Sequence, residues 1–411
     1  MPVLSRSLLR LPKRFDSAKR TAFINRHGFI PDAEDIGYTI FMKSLILTSA
    51  FIVGTSIYSY YYNTKVQVEY QETPLNNRLS EEISEFRNRK FYSTWYMPWR
   101  ALQLIIGNRF DKFEYVEYKR ETVNAKDGEK LALDWAWLSA RNEEKNDPSL
   151  PIVVVLPGAT GTSGANYVKV QVNALRNNGF RTVVANQRGS VMPQVTPNFF
   201  NLTHLQEDFD SIFTHIREKY PDSNIYLMGF SMGACVALKY TATNENGKKW
   251  VKGVASVGNP FDFRKSVDSL KLWRNALYNY HITQKLKERF QNVVGQLEEH
   301  YSRGGEKIVS EKVNSSWCLS SFDREFTHKL LNGHSPEHYY DKVSCVEDVD
   351  KLHQPVLVIN SKDDPLSRFS HVPVEKMKQL KNYFLAFTPK GAHIEFFVNF
   401  RRRRVNSSVE C

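Results

Sequence analysis

The feature that most constrains this chain is a turn. Asn224 to Tyr240 reads NIYLMGFSMGACVALKY: an apolar run of strand character, then Gly229-Phe230-Ser231-Met232-Gly233, then a helical pattern. Glycines on both sides of a serine at such a junction mark a strained elbow that exposes the serine hydroxyl. A side chain at Gly229 or Gly233 would collide with the neighbouring strand or helix. Ser231 would then sit at a helix N-terminus, where backbone N–H groups and the dipole favour a negative oxygen. The plainer alternative is a small-residue turn with a capping serine. The pentapeptide alone does not separate the two, so its surroundings must.

Those surroundings alternate. FEYVEYKRETV and LALDWAWL read as two strands around the turn Asp127-Gly128. IVVVLPG is a short buried strand followed by a helix from Tyr167, and RTVVANQRG is a strand followed by a helix from Leu205 to Tyr220. The elbow strand and its helix come next, then VKGVASVG, and much later PVLVIN and NYFLAFTP. Strands alternating with helices predict an α/β fold, a mainly parallel sheet with helices on both faces, over residues 111–400. Asp262 to Leu352 breaks the rhythm as a mostly helical insertion, placed to act as a lid.

A serine nucleophile needs a base, and the base needs an orienting carboxylate. On this kind of sheet the chain order is serine, acid, histidine. PVLVIN ends in Ser361-Lys362-Asp363-Asp364-Pro365, and NYFLAFTP is followed by Lys390-Gly391-Ala392-His393. The order is met, and each residue falls at the carboxyl end of its strand, the rim where open α/β sheets bind ligands. Taken singly, the acids could form an Asx turn and the histidine could be idle on the surface. The oxyanion donors expected are the N–H of Met232 and one from LPGATG, at Ala159. That loop lacks the Lys-Ser/Thr ending of a phosphate-binding P-loop.

The rest of the chain suggests an address. The net charge of +12 is spread widely, apart from an acid-poor start and Arg401-Arg402-Arg403-Arg404 in the basic tail 401–411. No nucleic-acid motif accompanies it, so an anionic membrane surface is the expected partner. The first thirty residues carry seven Lys or Arg and one acid, Asp16, as a mitochondrial presequence does; a positive flank to a signal anchor is the competing reading of 1–44. LILTSAFIVGTSIYSYYY, Leu45 to Tyr62, is uncharged and near the length of a bilayer span, and predicts a single-pass membrane helix. Residues 63–110 read as a polar linker and an aromatic lead-in. Four separated cysteines, Cys235, Cys318, Cys345 and Cys411, form no C-x-x-C pair, so neither a zinc site nor a redox dithiol is indicated.

From about Phe91 to Phe397 the chain resembles the α/β-hydrolase family 4 proteins, which include membrane-anchored ABHD-type lipid hydrolases, bacterial YheT-like esterases and fungal ethyl-ester synthase/esterases. The resemblance rests on DGEKLALDW, LPGATGTSGANYV, NQRG, YLMGFSMGA, GNPFD, NSKDDPL and, within the insertion, SFDREFT and HYYDKVS. It implies Ser231 as nucleophile, Asp364 rather than Asp363 as orienter, His393 as base, and hydrolysis of acyl esters of lipids or alcohols without a cofactor. It also leads us to expect lid residues, Trp273 among them, to line an acyl pocket. Two departures stand out: Gly391-Ala392-His393-Ile394-Glu395 replaces the family's Gly-Gly-His with a small residue beyond, and the chain lacks the family's terminal helix. Two alternatives follow: a weakly active or inactive hydrolase-fold subunit of a mitochondrial membrane complex, or an alcohol O-acyltransferase with the same triad.

Overall fold

The computed structural model describes residues 33–62, 65–84, 115–137, 147, 149–192, 204–295, 310–327, 329 and 335–394. The basic start, the aromatic lead-in from Phe91, Glu395 and the arginine tail lie outside the described residues.

The strands are β1 (Gln67–Tyr70), β2 (Lys119–Asn124), β3 (Lys130–Ala136), β4 (Ile152–Leu156), β5 (Arg181–Ala185), β6 (Ile225–Phe230), β7 (Val251–Val257), β8 (Val356–Ser361) and β9 (Tyr383–Thr388). They form one sheet in the order β1-β9-β8-β7-β6-β4-β5-β3-β2. The six strands β4 to β9 pair in parallel, while β1, β2 and β3 join antiparallel at the two edges. The sheet is therefore mixed and mainly parallel. Side-chain alternation sorts β4 between two apolar layers. Ile152, Val154 and Leu156 pack with Phe209, Ile212 and Phe213 of the helix Leu205–Lys219; Val153 and Val155 pack with Val168 and Val172 of the helix Asn166–Asn177. Each such fully buried side chain contributes about 1.5–3 kcal/mol.

The polar stretch expected to be a linker is built into this sheet. Gln67–Tyr70 adds to β9 as an edge strand, with Tyr70 stacked on Phe384 at 4.8 Å between ring centroids. Asn76, in the following helix Pro74–Glu82, donates its side-chain amide to the carbonyls of Gln71 and Lys381 at 2.9 and 3.0 Å. An edge strand buries little, so its sequence can stay polar, and composition alone does not reveal it.

Among the described residues, the helices Phe263–Leu270, Ala276–Gln291, Ser310–Ser315, Leu319–Glu325 and Pro336–Val343 lie between β7 and β8 and belong to the lid. It has a small core of its own: Leu286, Phe290, Val293, Val313, Phe322 and Phe326. The two lid motifs meet there, since buried Asp323 of SFDREFT accepts hydrogen bonds from Tyr340 of HYYDKVS at 2.5 Å and from Thr327 at 2.8 Å. Burial pushes the Asp323 carboxyl up to about 6, against these two bonds, which favour its anion.

The single-pass expectation finds no support among the described residues. The chain divides into two compact units, Met1–Thr55 and Ser56–Cys411. One continuous 30-residue helix, Ala33–Tyr62, includes the segment in question, but no helix among the described residues is long and apolar enough to cross a membrane. Within this helix Thr55 turns its hydroxyl back onto the Phe51 carbonyl at 2.8 Å.

Candidate active site

β6 runs directly into Ser231, whose backbone sits at φ 53°, ψ −121°, a region that L-residues avoid. Such strain costs on the order of 1–3 kcal/mol and survives only where the surroundings enforce it. They do so here by close approach. A Cβ on Gly229 would lie 2.4 Å from Ala234 Cα, and one on Gly233 would lie 2.2 Å from the Leu156 carbonyl oxygen. The two glycines let the elbow helix, Met232–Thr243, lean on β4 and β6, and the Ser231 N–H is tied to the Val257 carbonyl at 2.9 Å.

The three residues at the strand ends converge. His393 Nδ1 is 2.8 Å from Asp364 Oδ2, and His393 Nε2 is 2.6 Å from Ser231 Oγ. A carboxylate only accepts, so Nδ1 carries the proton and donates to Asp364; Nε2 of the neutral ring is then an acceptor, and the Ser231 hydroxyl donates to it. Asp364 Oδ1 also accepts the N–H groups of Leu366 and Ser367, each at 2.8 Å, which fixes the carboxylate independently of the histidine. Ser231, Asp364 and His393 are all buried.

Met232 follows Ser231 directly, and the loop that holds Ala159 comes close, since a Cβ on Gly158 would lie 3.2 Å from Ser231 Cβ. Among the described residues neither N–H donates to a protein acceptor, as geometry requires of the first residue of a helix and permits in a loop. The loop after β4 is clamped on its carbonyl side. Gln187 donates its amide to the carbonyls of Pro157 and Gly158, both at 3.2 Å, and the second carbonyl shares a peptide with the Ala159 N–H. Arg289, from the lid, donates to the carbonyls of Ala159 at 3.1 Å and Arg188 at 2.5 Å. Desolvation pulls Arg289 down to about 10, which leaves it charged at neutral pH.

A family model described as alpha/beta hydrolase fold matches residues 151–400. The chain belongs to the alpha/beta hydrolase fold family. Similar proteins include bovine phospholipase ABHD3, 29% identical over 285 residues, with 68% of this chain and 67% of the relative covered. Human phospholipase ABHD3 is 26% identical over 357 residues, 84% of each chain. Zebrafish monoacylglycerol lipase ABHD2 is 26% identical over 252 residues, covering 60% of this chain and 59% of the relative. Among solved structures, the Pyrococcus furiosus esterase Pf2001 aligns with 68% of this chain and 83% of its own, at 17% identity and a TM-score of 0.44.

In this alpha/beta hydrolase the remaining motifs are struts. Asp127 and Asp134 of DGEKLALDW both reach NQRG. Arg188 donates to Asp127 at 2.9 Å and, through Nε, to Asp208 at 2.7 Å, and a second bond to Asp208 comes from its terminal nitrogen. Asp134 accepts from Asn186 at 2.8 Å, Ser163 at 2.5 Å and Arg120 at 2.7 Å. GNPFD ties the loop after β7 to the acid loop: Asn360 donates to the Asn259 carbonyl at 3.0 Å and accepts its N–H at 3.2 Å, while Ser367 donates to the same carbonyl. Asp363 takes the Ala392 N–H at 3.0 Å. It steadies the histidine loop, whereas its neighbour Asp364 meets the histidine itself.

Ala392 adopts φ 47°, the left-handed region that favours glycine. Its departure from Gly-Gly-His therefore has a physical cost, held in place by Asp363 and by the Ser361 hydroxyl, which donates to the Ala392 carbonyl. Cys235 is buried in the elbow helix, with its thiol donating to the Val343 carbonyl at 3.1 Å. The lid partly corrects the sequence reading. Trp273 lines no interior surface, being 89% exposed. Tyr278 stands edge-on to His393 at 6.3 Å between ring centroids. Arg289 and Tyr278 had no sequence signal, because an arginine or tyrosine on an amphipathic helix looks the same whether it faces solvent or a loop far away in sequence; Gln187 lies in the NQRG motif, which carried no role for it.

Proposed function

We propose that the protein is a serine ester hydrolase that cleaves acyl esters of lipids through an acyl-enzyme. The hydrogen-bonded line from Asp364 through His393 to Ser231 carries this reading. As Ser231 Oγ attacks the ester carbonyl carbon, its proton passes to His393 Nε2, while the Nδ1 proton stays hydrogen-bonded to Asp364, whose charge stabilises the imidazolium. The negative oxygen is received by the Met232 and Ala159 N–H groups; losing one such donor costs about 2.7–4 kcal/mol of barrier. The imidazolium returns its proton to the departing alcohol oxygen. Water then gives a proton to the same ring as it attacks the acyl carbonyl, and the imidazolium passes that proton to Ser231 Oγ as the carbonyl carbon–Oγ bond breaks, releasing the acid and restoring both residues.

The lipid class is supported by relatives named phospholipase and monoacylglycerol lipase. The compartment favoured by the basic start is the mitochondrion, which N-terminal sequencing and fractionation of native protein test. For the chemistry, a fluorophosphonate probe should label the protein, and Ser231→Ala should abolish both labelling and ester turnover; equal labelling of the variant counts against Ser231. Product analysis with and without added alcohol distinguishes water from an alcohol as the acyl acceptor.

A further inference from the structure

The lid turns two different faces to its surroundings. On the turn Trp273–Asn275 and the helix Ala276–Gln291, the side chains of Asn275, Tyr278, Asn279, Thr283, Leu286 and Phe290 are buried. On the opposite side Trp273, Leu277 and Tyr280 stand in solvent, with Trp273 at 89% and Leu277 at 62% exposure. Single exposed apolar residues need no explanation, but a Trp, a Leu and a Tyr on one face of one short element form a patch that water penalises. The turn is also fixed in place, because Asn275 donates its amide to the carbonyls of Ser269 at 2.7 Å and Pro365 at 3.2 Å, the latter in the loop that carries Asp364.

Beside the patch lies a cavity of about 300 Å³ lined by Arg274, Asn275, Lys362, Asp364, Arg368 and Phe369. Among the described residues, none of its three cations has a carboxylate within ion-pair distance. Neighbouring acids are already engaged: Asp268 pairs with Lys271, Asp262 with Lys265, and the Asp364 oxygens with His393, Leu366 and Ser367. Lys362 lies over the Phe369 ring at 5.4 Å, which keeps its charge at the mouth of the cavity.

We propose that this face, Trp273, Leu277 and Tyr280 flanked by Arg274, Lys362 and Arg368, docks the catalytic domain on a bilayer surface that carries anionic phosphate headgroups. Indole and phenol rings settle at the boundary between headgroups and acyl chains, and unpaired cations are drawn to an anionic leaflet. A second copy of the chain is the wrong occupant, because a two-fold contact would press the same three cations against each other. The inference rests on the lipid-ester reading for its purpose, since the same helix carries Tyr278 over His393, so a docked face holds the reacting base next to the source of substrate.

The test uses full-length Ser231→Ala protein with and without Trp273→Phe, so that the difference in emission isolates one indole and needs no turnover. With vesicles of brominated phosphatidylcholine containing phosphatidylserine, the Trp273 component should shift to the blue and be quenched. The quenching should weaken without phosphatidylserine or with Arg274→Gln plus Arg368→Gln. Identical quenching with and without Trp273 overturns the proposal. So does a Trp273 shift that grows with protein concentration in the absence of lipid, which assigns the face to a second copy. In a separate arm, Trp273→Ser plus Leu277→Ser should lower turnover of a vesicle-borne ester about tenfold while changing that of a water-soluble short-chain ester by less than about twofold. Equal losses on both substrates overturn it. If the parent protein turns over neither ester, the hydrolase reading fails and the quenching arm alone decides this one.

Discussion

Two arginines that lie close together play opposite parts. Arg188, on the sheet scaffold, is buried against the carboxylates of Asp208 and Asp127. Arg289, on the lid, reaches the same place but donates to carbonyl oxygens, those of Ala159 and of Arg188 itself. The first holds charge against charge within the scaffold, where removing one partner strands the others. The second joins the lid to the loop that carries an expected oxyanion donor, and desolvation pulls it down to about 10. Scaffold ionic bonds should therefore govern whether the protein is folded, and lid polar bonds how well the site is arranged.

Arg188→Met should produce the largest effect on stability. It leaves Asp208 buried without its cation, and destabilisation of about 3–5 kcal/mol is expected in denaturant unfolding. A loss below about 1 kcal/mol would break the contrast by showing the scaffold pair to be dispensable.

The lid's own buried charge comes next. Asp323 binds its proton up to about pH 6 in the folded chain, against an ordinary 3.8. Between those pH values the folded state holds a proton that the unfolded state lacks, so stability falls as pH rises through the window and levels off above it. The fall should be on the order of 3 kcal/mol. Melting profiles of wild type and Asp323→Asn should therefore lie closest below about pH 4, separate as pH rises from about 4 to 6, and keep a constant gap above; profiles parallel across that window would reject the assignment.

Arg289→Met sharpens the comparison directly. With the clamp on the Ala159 carbonyl gone, kcat for ester hydrolysis should fall about ten- to a hundredfold, equivalent to about 1.4–2.8 kcal/mol. KM should change less, the unfolding midpoint should shift less than for Arg188→Met, and Arg289→Lys should recover part of the rate. A loss confined to stability would move Arg289 into the scaffold class. The smallest effect is at the histidine loop: Ala392→Gly relieves the positive φ and should stabilise by about 1 kcal/mol or less, once the entropy of the added glycine is offset. Destabilisation would mean that the Ala392 conformation carries no strain.

Much of the site was legible because its signals are local. The elbow requires glycines within two residues of Ser231, and strand-end residues appear in sequence as the last positions of apolar runs. The polar edge strand Gln67–Tyr70 was not legible, because a strand that pairs on one side needs no apolar run. The Leu45–Tyr62 stretch reads as a span by its absence of charge, but no helix among the described residues is long and apolar enough to cross a membrane. Trp273 misled because burial was inferred from residue type alone.

By itself, then, the sequence determined the alternation that builds a mainly parallel sheet, the chain order serine, acid, histidine, and the junction where a strained serine fits. These follow from side-chain period and steric limits, which act over a few residues. Only the tertiary structure decided that His393 Nε2 comes to 2.6 Å from a hydroxyl 162 positions away, that Asp364 meets the ring while Asp363 holds the loop, and that Arg289 and Gln187 grip the same turn. Those outcomes depend on how packed layers bring distant strand ends together, and no local pattern of residues encodes such a distance.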